Sequence, residues 1–297
     1  MVDLHIHSCC SDGTDEPEAL AAVAAGAGLS AAVLTDHDTM AGSERFVREA
    51  ARLGLGSLPG LEISCDVPGR TVHVLAYGCD AGNAALADAL RRVREGRNAR
   101  NAEILARLSR LGRCVSMGDV MREAGEGATV VGRPHIARAL VRKGWARDHA
   151  DAFRRYLGRG APAYVERFRL APGDALALIS GAGGVSSLAH PHQIGMNKTE
   201  LRRFVESLAA QGLGAIECLY TGYVPGQVEE YVGLARDFGL LVTGGTDYHG
   251  ENRPHVRIGV AYGGLNVSDA TFDALSERIA AAKTAMAGGT AKEDCRS

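Results

Sequence analysis

Val2-Asp3-Leu4-His5-Ile6-His7 alternates apolar and polar residues without a break, which is the period of a β-strand with one packed face. Val2, Leu4 and Ile6 form the packed row, while Asp3, His5 and His7 form the other. Two imidazoles two residues apart therefore point the same way. Asp12 follows in a Ser/Gly loop, near enough to face the same space. A lone histidine is more often a satisfied core or surface residue than a ligand. Two on one strand face, with a carboxylate just beyond, point to a metal.

Working outward, the same signature recurs. Thr35-Asp36-His37-Asp38 ends the apolar run Leu29 to Leu34, and Glu62 ends Leu58 to Leu61. His73 sits inside Val72-His73-Val74-Leu75. His190 closes Val185 to Ala189 with Pro191-His192 after it, and Asp247-Tyr248-His249 follows Leu240 to Thr243. Apolar runs that repeatedly end in His, Asp or Glu are expected of a parallel barrel whose loops carry a site.

Composition fits that reading. The 297 residues are 46% hydrophobic and 23% charged, with a formal net charge of -2, enough chain for one barrel-sized domain or one plus an insertion. Nothing in that balance suggests a global nucleic-acid or membrane surface. The seven cysteines lack metal-finger spacing, and vicinal Cys9-Cys10 beside the site suits a reducing compartment. No leader-like segment and no apolar run of ~18 residues is evident, so a cytoplasmic protein without membrane association is expected.

In chain order, Asp15-Glu16-Pro17-Glu18 reads as a capped helix start with Asp15 as N-cap. A strand over 30–34 and a helix over 42–53 follow. Strand three ends at Glu62, and Asp66 to Arg70 is a turn so short that strand four, Thr71 to Tyr77, is joined to it tightly rather than through a helix. From about Gly82 the chain turns helical, with basic residues at 91, 92, 94, 97, 100, 107 and 110. This reads as a helical insertion, dividing the chain into residues 1–81, 82–168 and 169–297. The barrel pattern resumes with strands at Val185 to His190, Ala215 to Leu219 and Leu240 to Thr243, which makes seven site-facing strands. Arg257 to Val260 reads as a short apolar strand, and Ala270 to Ala285 as a final helix with a frayed tail beyond Met286.

The set His5-x-His7 with Asp12, Thr35-Asp36-His37-Asp38, Glu62, His73, His190-Pro191-His192 and Asp247-x-His249 resembles the polymerase and histidinol phosphatase (PHP) superfamily. The resemblance implies an α/β fold, a distorted (β/α)7 TIM-like barrel, with two to three divalent ions (Mn2+, Fe2+ or Zn2+) and phosphoester hydrolysis. Carried across, His5, His7, Glu62 and Asp247 would hold one metal. Glu62 would bridge to a second, completed by His73 and His190, and Asp12, His37 and His249 would hold a third. Asp36 and Asp38 read as supporting carboxylates, Asp36 orienting a ligand imidazole.

The helical insertion resembles the branch that includes phosphatases of small nucleotides, and Gly132-Arg133-Pro134-His135 matches a motif of that branch. Arg133 and His135 are then expected to clamp phosphate at a helix start. Asn197 and Lys198 are further candidate substrate contacts, although Asn197 with Glu200 also reads as a helix cap. The implied reaction is attack of a hydroxide lying between two metals on a phosphomonoester of a 3′,5′-nucleoside bisphosphate. Glu62, Arg133 and His192 are the catalytic candidates, and Phe153, Tyr156, Trp145 or Tyr164 are candidates to stack a base. A 5′-3′ exonuclease on short RNA, its backbone tracked by the basic residues at 91 to 110, is the alternative; a histidinol phosphate phosphatase is the weaker one. The expected partners are a small phosphorylated substrate or short RNA, in a monomer or small homo-oligomer.

Overall fold

The computed structural model describes residues 1–260 and 266–293. Among these, seven strands alternate with helices. β1 (Val2–Ile6) pairs in parallel with β2 (Ala31–Leu34). Helices α1 (Pro17–Gly26) and α2 (Ser43–Arg52) cover that pair, burying Leu20, Phe46 and Ala50 against Ile6, Ala32 and Leu34. The remaining strands are β3 (Gly60–Val67), β4 (Arg70–Tyr77), β5 (Val185–Leu188), β6 (Ala215–Tyr220) and β7 (Leu241–Gly245), and they form one five-stranded sheet in that order.

Two features depart from the sequence expectation of a parallel barrel. β3 does not end at Glu62; it runs on to Val67, because β4 folds back along its whole length from Gly60↔Tyr77 to Val67↔Arg70. A two-residue turn at Pro68-Gly69, with Gly69 at φ +80°, can join only antiparallel strands. β4 is also antiparallel to β5, and only β5, β6 and β7 run parallel. The sheet is therefore mixed and not fully closed by regular ladders.

Its two seams are spanned at the site itself. Between β2 and β3 the bridge pairs His37 with Glu62, with Asp38 N–H donating to the Glu62 carbonyl (2.9 Å) and Glu62 N–H to the Asp36 carbonyl (3.1 Å). Between β7 and β1 it pairs Ile6 with Tyr248, and Asp247 N–H donates to the His5 carbonyl at 2.7 Å. Glycine sits at each seam because the backbones approach too closely for a side chain. A Cβ on Gly60 would lie 2.5 Å from Val33, and one on Gly245 would lie 2.5 Å from His5.

Four helices intervene between β4 and α7 (Pro172–Gly181): α3 (Ala84–Arg110), α4 (Met117–Ala124), α5 (Arg133–Arg142) and α6 (His149–Ala152), the last continued by a π-turn over Phe153–Leu157. The N-terminal half of α3 packs Leu86, Leu90 and Val93 on the barrel. Its C-terminal half packs Ile104 and Leu108 with Val120, Ile136, Leu140 and Leu157 in a separate core. α3 is thus a spine shared by both parts.

α8 (Lys198–Ala210) and α9 (Pro225–Phe238) cover β5 to β7, and α10 (Asp269–Glu293) closes the far end. Three local expectations are corrected here. Glu16, not Asp15, is the N-cap of α1, with Pro17 in its first turn; Asp15 instead accepts the Tyr248 hydroxyl at 3.1 Å. Arg257 to Val260 is a tight turn closed by one antiparallel bridge rather than a strand. The last helix runs on past Ala285 to Glu293. No helix among the described residues is long and apolar enough to cross a membrane.

Candidate metal centre and arginine pocket

Both rows of β1 are buried, so its alternation separates an apolar core from a polar interior rather than from water. His5 and His7 are fully buried, and seven further predicted ligands gather around them: Asp12, His37, Glu62, His73, His190, Asp247 and His249. Glu62 lies at the centre. Its Oε2 is 3.2 Å from His7 Nε2, 3.0 Å from His37 Nδ1 and 3.5 Å from His5 Nε2. Its Oε1 is 2.9 Å from His73 Nδ1 and 3.0 Å from His190 Nε2. Asp247 Oδ1 lies 3.3 to 3.4 Å from His5, His7 and His249, and Asp12 Oδ1 lies 3.3 Å from His249 Nε2.

These residues suit divalent metals. Four overlapping sets of ligand atoms each lie within 4.8 Å of one another. Imidazole nitrogens face each other at hydrogen-bond distance, His5 Nε2 and His7 Nε2 at 3.1 Å and His73 Nδ1 and His190 Nε2 at 3.3 Å, which brings four ligating nitrogens to the same space. Buried His7 Nδ1 and His190 Nδ1 have no hydrogen-bond partner among the described residues, and leaving such groups unsatisfied is costly.

The electrostatics agree. Burial pushes the Glu62, Asp12 and Asp247 carboxyls up, but the surrounding imidazoles and, for Asp247, Arg253 hold all three well below the usual carboxylate range. Burial opposes charge on His7 too, yet Asp247 and Glu62 lift it to about 9. Cations replacing such protons satisfy the same carboxylates.

The backbone is bent to this purpose. Asp38 (φ 55°), His190 (φ 25°) and Asp247 (φ 54°) are the non-glycine residues of positive φ among the described residues, and all three lie at strand ends around the site. Backbone strain concentrated there is a mark of a functional centre.

Support comes from residues outside the predicted set. Glu217 on β6, fully buried, accepts from His5 Nδ1 at 2.9 Å and from the His190 N–H at 2.7 Å. Tyr220 donates to Asp247 Oδ2 at 2.8 Å, and Arg253 Nη1 reaches the same oxygen at 2.5 Å. A glutamate flanked by Ile216 and Cys218 in an apolar strand was the available signal for Glu217. Asp36 does not orient an imidazole: it accepts from Ser8 N–H (2.8 Å), Ser8 Oγ (2.6 Å) and Ser11 Oγ (2.5 Å), which shapes the loop that carries Asp12.

Seven of the nine predicted ligands, all but His5 and His7, line a cavity of about 380 Å³ together with Pro134, His149, Phe153, Gln193, Asn252 and Arg253. Sharing Asp12, His37, His73, Pro134 and Phe153 with it is a smaller cavity of about 140 Å³, lined by Arg97, Arg100, Arg133, Arg167 and Arg169. Carboxylates do not match these five cations. Asp38 pairs with Arg97 and, at 3.5 Å, with Arg167; Arg169 has Asp66 at 3.1 Å and Glu166 at 3.6 Å. Arg100, 4% exposed, donates among the described residues to Asn101 Oδ1 alone. Burial, then Arg97 and the other guanidinium groups, pull Arg100 well below its usual range, and burial with Arg97 pulls Arg167 down to about 9. Buried Arg97, Arg167 and Arg169 each keep an unpaired Nε. Such a pocket is built for an anion.

The remaining candidates fall in different places. Arg133 lines the arginine pocket, its Nη1 donating to the Leu157 carbonyl at 3.1 Å and its guanidinium over Phe153 and Tyr164. His135 is fully buried, with Nδ1 accepting the Gly132 N–H at 2.9 Å, and it lines neither cavity. His192 packs on Tyr220 and Tyr223, with ring centroids 5.3 and 5.0 Å away, and is not among the lining residues either. Asn197 caps α8, and Lys198, 83% exposed, pairs with Glu230 at 3.2 Å. Of the four aromatic candidates, Phe153 lines both cavities, while Trp145 and Tyr156 pack in the helical core. The basic face of α3 is split. Arg97 and Arg100 point inward, whereas Arg91 and Arg107 are neutralised by Asp88, Glu95 and Glu103.

The chain is similar to known proteins along most of its length. The PHP domain family matches residues 3–158. A 3′,5′-nucleoside bisphosphate phosphatase of Chromobacterium violaceum is 34% identical over 248 residues, 84% of this chain and 87% of that one. A 5′-3′ exoribonuclease of Escherichia coli is 32% identical over 251 residues, 84% of this chain and 85% of that one. A solved Chromobacterium violaceum amidohydrolase with bound sulfate and no metal superposes with a TM-score of 0.83 at 31% identity, covering 93% of this chain and 96% of that one. Agreement of that extent, over a barrel whose ligand-bearing strand ends converge on one cavity, places the chain in the PHP domain family as a metal-dependent phosphoesterase.

Proposed function

We propose that the enzyme removes one phosphate from a small nucleotide that carries two, of the 3′,5′-nucleoside bisphosphate type. The observation behind this reading is the arginine pocket beside the metal cavity: one phosphate is hydrolysed among the His/Asp/Glu ligands while the other is held by the guanidinium groups. The relative named as a bisphosphate phosphatase supports it, as does the sulfate bound by a close structural neighbour. A single-phosphate substrate such as histidinol phosphate leaves Arg100 and Arg133, which pair with no carboxylate among the described residues, without a counter-ion, which argues against the weaker alternative.

His5, His7, Glu62 and Asp247, with His73, His190, Asp12, His37 and His249, are the residues to hold two or three ions. Such ions supply Lewis acidity toward phosphoryl oxygens and a water of lowered pKa. The chain's own part is to fix geometry. The arginines anchor the far phosphate, and Phe153 and His149, with rings 4.9 Å apart, offer a face for the base.

A second reading, cleavage from the 5′ end of short RNA, is favoured by one observation. A further cavity of about 350 Å³, lined by Glu123, Arg138, Arg142, Glu251 and others, shares His149 and Asn252 with the metal cavity and has room for a leaving nucleotide. Comparing kcat/KM for a nucleoside 3′,5′-bisphosphate, a nucleoside monophosphate and 5′-phosphorylated dinucleotides decides between them. The bisphosphate reading expects Arg133→Ala to cost roughly 10²-fold on the bisphosphate and little on p-nitrophenyl phosphate. Equal losses on both substrates sink it.

A further inference from the structure

Hydrolysis at phosphorus leaves charge on the nonbridging oxygens, which a fixed cation within the reaction cavity stabilises. Arg133 was the sequence candidate for this task, but its guanidinium lines the arginine pocket and is tied to the Leu157 carbonyl. Among the described residues, the lysine or arginine that lines the metal cavity is Arg253.

Arg253 is unusually well anchored there. It follows the short 3-10 turn Gly250–Asn252, and its own N–H donates to the Gly250 carbonyl at 3.0 Å. Side-chain Nη1 donates to Asp247 Oδ2 (2.5 Å), the Asp247 carbonyl (3.1 Å) and the Tyr220 hydroxyl (3.0 Å). Tyr220 in turn donates to Asp247 and accepts from Gln193 Nε2 at 2.8 Å. All three donations leave from one nitrogen. Nε and Nη2 have no hydrogen bond to a described residue, and the side chain, 37% exposed, lines the metal cavity. A guanidinium pinned by one corner, with its other donors free beside a candidate metal ligand, is preorganised for an oxyanion.

We infer that Arg253 is a catalytic residue that donates to a nonbridging oxygen of the phosphoryl group under attack. Water adds to phosphorus as the P–O bond to the leaving alcohol breaks. The electron pair departs with that oxygen, which ends protonated by the proton water gives up, and the products are inorganic phosphate and the alcohol. Arg253 keeps its own proton throughout. This assignment concerns the reacting phosphate alone, so it does not depend on what the arginine pocket holds.

The test is Arg253→Ala and Arg253→Lys. Arg253→Ala is expected to lower kcat roughly 10²-fold on p-nitrophenyl phosphate and on a nucleoside 3′,5′-bisphosphate alike, with KM changed less than about threefold. Bound metal by elemental analysis should equal wild type, and added guanidinium ion should restore about tenfold in rate. Arg253→Lys keeps a cation beside Asp247 and carries the test if the alanine variant misfolds; it should lose roughly tenfold in kcat at full metal content. The inference is overturned if kcat of Arg253→Ala stays within about threefold of wild type. It is also overturned if metal is lost with activity, which makes Arg253 a prop for Asp247, or if guanidinium leaves the rate untouched.

Discussion

Glu217 grips two candidate ligands at once: one carboxylate oxygen lies 2.9 Å from His5 Nδ1, and the other accepts the backbone N–H of His190 at 2.7 Å. Fixing Nδ1 of His5 turns its Nε2 toward Glu62 and Asp247, and holding His190 stabilises a residue at φ 25°. Outer carboxylates of this kind tune ligand orientation and basicity. Glu217→Gln is expected to weaken metal binding by roughly 10- to 100-fold, measured by chelator competition, while far-ultraviolet circular dichroism stays unchanged. Wild-type affinity in the variant would remove Glu217 from the site.

Glu62 touches five imidazoles, more than any single metal needs. A carboxylate in that position offsets the mutual repulsion of neighbouring cations. Glu62→Gln should lose at least one equivalent of metal and nearly all turnover. The fold should persist, because the β2–β3 seam uses the backbone of Glu62 and not its side chain. A variant that keeps a tenth of wild-type kcat contradicts the bridging assignment.

Much of this was legible in the residues. Apolar runs broken by His, Asp or Glu, with Asp12 in the loop after the first of them, located the nine candidate ligands, since a burial pattern that breaks into titratable side chains is hard to explain by packing. The tight joint between β3 and β4 was readable at Pro68-Gly69, but the antiparallel pairing of β4 with β5 depends on contacts far apart in sequence. The arginine pocket was not legible. Arg97 and Arg100 share a helix with solvent-facing Arg91 and Arg107, and helical periodicity does not say which turn meets a neighbouring domain. Arg167 and Arg169 come from an irregular segment with no period at all. Glu217 was visible only as an isolated charge inside an apolar strand.

Arg100 shows the cost of that pocket. It is buried among four other guanidinium groups, and among the described residues only Asn101 serves it as an acceptor. Arg100→Met, of similar length and no charge, should stabilise the ligand-free protein by about 1 kcal/mol, read by urea unfolding. The same change should lower kcat/KM roughly 10²-fold on the bisphosphate and less than about threefold on p-nitrophenyl phosphate. Opposite signs on stability and activity are the signature of a site held under repulsion until its ligand arrives. A destabilised Arg100→Met would assign Arg100 to the helix junction instead.

His135 carries a pH dependence of stability. Burial lowers its pKa from 6.5 to about 4, and its Nδ1 is committed as acceptor to the Gly132 N–H at the start of α5. The folded chain therefore holds the ring neutral, whereas the unfolded chain protonates it near pH 6.5. With the folded value below the unfolded one, the stabilisation is complete above pH 6.5 and is lost as pH falls from there toward 4. Between pH 7.5 and 5 the loss from this one group is about 2 kcal/mol. Asparagine at this position keeps a side-chain acceptor for Gly132 but does not titrate. Unfolding by urea at both pH values, on wild type and His135→Asn, isolates the effect, because every other titrating group contributes equally to both proteins. The variant should be less stable than wild type at pH 7.5 and should lose about 2 kcal/mol less on going to pH 5; parallel losses in the two proteins would place the neutral buried imidazole elsewhere.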